Sequence, residues 1–98
     1  MDDKLQIIDK TKTKISPPHH YKVVMYNDDF TTMEFVVDIL VRIFHKNIKE
    51  ATDIMLDVHK KGYGIAGIYP FDIAKTKVTH AMREARNQGF PFKMTVEE

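Results

Sequence analysis

The chain has no cysteine among its 98 residues. That excludes disulfide staples and thiolate metal sites, and leaves five histidines as possible ligands. Charge of one sign is also missing. The formal net charge is +1, so the chain carries no strong field for nucleic acid or an anionic membrane. No apolar run approaches 18 residues, which predicts no membrane-spanning helix. The start, Met1-Asp2-Asp3-Lys4, is acidic and has no apolar run behind it, which predicts no signal peptide and a cytoplasmic protein. No internal repeat is visible. What is present is ordinary for a soluble domain: 43% hydrophobic and 30% charged residues. A domain of this size buries only about 60–65% of its unfolded surface, so one modest core is expected.

Residues 1–17 read as a flexible N-terminal extension. Lys4, Lys10, Lys12 and Lys14 alternate with polar residues, and Leu5, Ile7, Ile8 and Ile15 are too few to build a core. Pro17-Pro18 closes the segment with a stiff, extended step. Residues 18–98 form one domain. Tyr21–Tyr26 is rich in β-formers and reads as a strand, broken by Asn27-Asp28-Asp29. Thr31 and Glu34 have the spacing of a capping box, which predicts a helix from Thr32 to about Phe44. This helix is apolar nearly all round, so it is either deeply buried or partly a binding surface. Asn47 and Glu50 repeat the capping pattern for a second helix, Ile48 to Lys61, stopped by Gly62. Tyr63 to Tyr69 reads as a strand loosened by Gly64 and Gly67. Pro70 opens a third helix, ending near Gln88 with Gly89 as its stop, and Phe92 to Val96 is a last strand. The order is β-α-α-β-α-β. The expected fold class is α+β, a three-stranded antiparallel sheet packed against three helices.

A short loop makes the first two helices antiparallel neighbours. Folding the chain about Lys46 sets Met33 opposite His59, and the Asn27-Asp28-Asp29 loop feeds into the start of helix one. Asn27, Asp28, Asp29, Met33 and His59 should therefore converge. Met33 and Val36 share one helix face, as do Met55, Val58 and His59. The result is a polar mouth beside an apolar hole. Carboxylate and amide oxygens and a neutral imidazole nitrogen accept hydrogen bonds from an ammonium. A methionine-lined hole adapts to flat or branched apolar side chains. An ammonium one carbon from an apolar side chain is the first residue of a polypeptide, although geometry alone does not select that ligand. Rival readings are weak. No H-E-x-x-H motif or nucleophile with a paired base marks an enzyme, and no aromatic RNP string marks a nucleic-acid module.

The strings Asn27-Asp28-Asp29-Phe30-Thr31, Met33-Glu34-Phe35-Val36 and Met55-Leu56-Asp57-Val58-His59, with Gly62 and Thr76-Lys77-Val78 downstream, resemble the ClpS adaptor family from about Tyr21 to Val96. The resemblance implies a non-enzymatic adaptor without cofactor or metal, monomeric, with no nucleic-acid or membrane partner. It implies binding of proteins that begin with Leu, Phe, Tyr or Trp and their delivery to the ClpA unfoldase of the ClpAP protease. By resemblance, Asn27, Asp29 and His59 hold the α-amino group, with Asp28 beside them. Thr31, Met33, Val36, Met55 and Val58 line the side-chain pocket, with Met33 excluding β-branched first residues. Phe92 matches a pocket position where the family often has Leu. Asp72 and Lys77 match positions linked to unfoldase docking. The extension 1–17 resembles one that helps hand over cargo.

Overall fold

Valine and methionine alternate along the first strand so that one side of it is dry. Val23 and Met25 are fully buried in the core, while Val24, between them, belongs to the other face. A computed structural model describes residues 19–98. The predicted extension, 1–17, lies outside the described residues. The elements run β1 (His20–Tyr26), α1 (Met33–Arg42), α2 (Ile48–Lys61), β2 (Tyr63–Pro70), α3 (Phe71–Asn87) and β3 (Lys93–Glu97). The sheet has the order β2-β1-β3, antiparallel throughout, as the α+β reading expects. Gly64 and Gly67 do not break β2. The register slips by one residue between Val23 and Val24, where β2 takes up the extra residue as a bulge.

The helices close the core with Phe35, Ile39 and Leu40 of α1, Ala51 and Val58 of α2, and Ala74, Ala81 and Ala85 of α3. Alanines at these α3 positions let the helix lie close to the sheet. The ring of Phe35 meets those of Phe90 and Phe92 edge-on, at 5.1 and 5.8 Å. The turn that presents Phe90 is a Schellman motif. Gly89 takes φ 80°, and the Phe90 N–H reaches back to Ala85 O at 2.9 Å.

The start of α1 differs from expectation by one residue. Thr32, not Thr31, caps the helix, accepting from the Phe35 N–H at 3.1 Å. Thr31 is otherwise engaged, since its hydroxyl donates to Asp28. The predicted Thr31–Glu34 capping box is therefore absent. The box at Asn47 and Glu50 is complete, with both reciprocal bonds made at 2.8 and 3.2 Å.

Between α1 and α2, His45 sits at φ 57°. A β-carbon in this left-handed region costs energy that glycine does not pay. His45→Gly is expected to raise stability by about 0.5–1 kcal/mol in urea unfolding, after glycine's extra chain entropy is subtracted. No gain would mean that contacts of the imidazole offset the strain.

Candidate functional site

Sheet pairing and helix capping bring the site together. Tyr26, the last residue of β1, pairs with Tyr63, the first of β2. Gly62 ends α2 in the left-handed conformation (φ 92°), which turns the chain at once from helix into strand. The Asn27 N–H then donates to Gly62 O at 2.9 Å. The β1–α1 loop is thus hydrogen-bonded to the end of α2, three residues after His59.

Within the loop, Asp28 is the organiser. Its Oδ1 accepts from the Phe30 and Thr31 N–H groups at 2.8 and 2.7 Å, and its Oδ2 from the Thr31 hydroxyl at 2.7 Å. Burial opposes its ionisation, but the bonds from the Thr31 hydroxyl and the two backbone N–H groups prevail, and hold its carboxyl below the ordinary carboxylate value. Three of a carboxylate's roughly four acceptor positions are used inside the loop. Asp28 therefore shapes the site more than it can serve a ligand.

The enclosed space is a cavity of about 250 Å³ lined by Asn27, Asp28, Asp29, Thr31, Met33, Val36, Met55, Val58 and His59. Asn27, Asp29 and His59 are exposed, which leaves polar groups open to a ligand. Val36 and Val58 are buried, Met55 half-buried, and Met33 is 48% exposed at the lip. A feature that sequence reasoning missed lies behind the wall. A β-carbon at Gly64 would meet Val58 Cγ2 at 2.7 Å, so the bare glycine lets α2 settle on β2 and fixes where Val58 stands. A glycine inside a strand pattern was the available signal.

One predicted pocket residue falls elsewhere, and the two docking candidates lie on α3. Phe92 is not among the residues lining the cavity. Its ring is 4% exposed and rests against Phe35 in the core. Asp72 and Lys77 differ in exposure. Asp72 is exposed and borders an open groove along α3 with Lys75, Thr76, Thr79, His80 and Arg83. Lys77 is tucked in, its Nζ donating to Ile43 O at 2.6 Å and lying 5.3 Å from the centre of the Tyr69 ring. That bond serves a free carbonyl at the end of α1. Among the described residues no cluster of three or more metal-ligating side chains occurs, and no helix is long and apolar enough to cross a membrane.

The family model described as ATP-dependent Clp protease adaptor protein ClpS matches residues 16–95. The ATP-dependent Clp protease adapter protein ClpS of Clostridium acetobutylicum is 51% identical over 89 residues, which span 91% of this chain and 88% of that protein. Its counterpart from Acetivibrio thermocellus is 43% identical over 97 residues, spanning 99% and 98%. Among solved structures, Agrobacterium tumefaciens ClpS2 bound to L-phenylalaninamide matches with a TM-score of 0.79 at 33% identity, covering 83% of this chain and 98% of that one. The chain belongs to the ClpS family of adaptors of the ATP-dependent Clp protease.

Proposed function

We propose that the chain grips the first residue of proteins that begin with Leu, Phe, Tyr or Trp and delivers them to a ClpA-type unfoldase of the ClpAP protease. The observation that carries this is the convergence of nine residues on one cavity, with ammonium acceptors at its mouth and valine and methionine along its wall. The ligand of the Agrobacterium relative supports it: L-phenylalaninamide has a free α-amino group, an aromatic side chain, and a carboxamide where the bond to a second residue would follow. Asn27, Asp29 and His59 accept the three ammonium protons, Asp28 and Thr31 hold the loop, and Met33, Val36, Met55 and Val58 take the side chain. The protein performs no chemistry on its cargo. It acts as a monomer in the cytoplasm. Of the two docking candidates, Asp72 is the one whose side chain stands open to an unfoldase.

The test is a titration of fluorescent ten-residue peptides that differ only in residue one. Leu, Phe, Tyr and Trp are expected to bind and Ser is not. Equal affinity for Leu and Ser would overturn the proposal.

Met33 is expected to act as the gate. Its partly exposed side chain sits at the lip, one helical turn before Val36. A β-branched first residue is proposed to collide with it there, as the family resemblance implies. Met33→Ala removes that obstruction. Peptides starting with Ile or Val should gain about tenfold, the scale of one or two methylenes in an apolar pocket. Peptides starting with Leu should lose a few-fold. An unchanged ranking would mean that Met33 is only part of the wall.

Residues 1–17 are proposed to serve delivery and not gripping. The nine cavity residues all come from positions 27–59. A chain lacking 1–17 should bind Leu-started peptides with unchanged affinity and slow their degradation by the partner protease. Full-speed degradation would remove that role.

A further inference from the structure

Met33 and Met55 line two hollows at once. Besides the cavity, they form one end of an open, mainly apolar groove of about 470 Å³ between α1 and α2, which continues through Val37 and Val41 to Ile48, with the carboxylates of Glu34 and Asp38 also on its lining. Its ends are uncovered, with Met33 48% and Ile48 64% exposed. Helix α1 gives the groove Met33, Val37 and Val41, and α2 gives it Ile48 and Met55. At 1.5 Å per residue, the stretches Met33–Val41 and Ile48–Met55 make the groove roughly 10–12 Å long. An extended peptide advances about 3.3 Å per residue, so three or four residues cover that length.

We propose that this groove receives the third to fifth residues of the cargo and prefers an apolar side chain among them. This rests on the function proposed above, since it takes the first residue to be held in the cavity. The two hollows adjoin at Met33 and Met55, which line both, and this adjacency argues for this occupant. A chain anchored by its first residue brings its next residues to the Met33–Met55 end at high effective concentration, whereas a separate partner must bear the whole cost of association. The groove adds selectivity for sequence beyond residue one, and the carboxylates of Glu34 and Asp38 on its lining disfavour an acidic residue there.

The experiment uses the full chain and fluorescent ten-residue peptides. One begins with Leu and continues with Ser and Gly only. Others carry a further Leu at position 3, 4, 5 or 9. A Leu at one of positions 3–5 is expected to tighten binding by roughly three- to tenfold, the return from a partly buried side chain, and a Leu at position 9 to do nothing. In Ile48→Ser and Val41→Thr that gain should disappear while the Ser/Gly peptide binds as before, because neither residue touches the cavity. No gain at positions 3–5, or a gain that survives both substitutions, overturns the groove and leaves the cavity intact. Failure of the Leu-started Ser/Gly peptide to outbind a Ser-started control overturns the cavity reading, and the groove with it.

Discussion

N-acetylated peptides are expected to lose binding that their free forms show, and Asp29→Ala to cost the free forms about 2–5 kcal/mol, the scale for removing one partner of a desolvated charge pair. Acetylation removes the positive charge and leaves one N–H where the ammonium has three. Asp29 differs from Asp28 in what else it does. The hydrogen bonds that organise the loop converge on Asp28, whereas Asp29 is exposed at the mouth. The substitution should therefore leave thermal unfolding nearly unchanged and act on cargo affinity alone. Fluorescence anisotropy with free and acetylated Leu, Phe and Trp peptides, on the parent and on Asp29→Ala, measures both effects. If acetylated peptides bind as well as free ones, the mouth does not hold an ammonium, and the functional reading fails.

The sequence reveals most of the fold because its stops are local. Gly62, Gly89 and the Asn47–Glu50 pair each act within a few residues, and they lie at element ends in the structure. The start of α1 is less legible because Thr31 and Thr32 both suit a cap. The choice between them depends on Asp28, which binds the Thr31 hydroxyl and so frees Thr32 for the helix. The cavity residues other than Thr31 are legible by counting along the helix hairpin, whereas Thr31 reads as a cap and comes to the pocket only by the family resemblance. That count misses what fixes the loop to α2, namely the Tyr26–Tyr63 pairing and the bond from Asn27 N–H to Gly62 O. Both join residues more than 30 positions apart, so no local pattern carries them. Depth is likewise hidden. Nothing next to Phe92 in sequence announces the Phe35 ring that it meets, and nothing next to Lys77 announces the carbonyl that the end of α1 supplies.

The Asp28 loop carries the other large effect. Asp28→Ala leaves the Phe30 and Thr31 N–H groups and the Thr31 hydroxyl without their acceptor, at a cost on the order of 1–3 kcal/mol. Asn27 and Asp29 flank the residue that is lost, so cargo affinity should fall by a similar or larger amount. Asp28→Asn should do less harm. Its single oxygen can still take the backbone N–H groups, and its amide can donate to the Thr31 hydroxyl, but neutral bonds are roughly half as strong as charge-assisted ones. The pH dependence follows from the direction of the shift. Burial raises the folded pKa of Asp28, the Thr31 and Phe30 bonds lower it further than that, and the net value lies below 3.8. A carboxyl depressed on folding contributes stability that is fully present above its unfolded value and is lost as pH falls through the folded one. The stability gap between the parent and Asp28→Ala should thus be flat from neutral pH down to about pH 5 and narrow below pH 3.8. Urea unfolding of both proteins at a series of pH values reads the gap directly. A gap that stays constant into the acid range would show that the ionised carboxylate is not what holds the loop, and Asn27 and Asp29 would then need another explanation for their position.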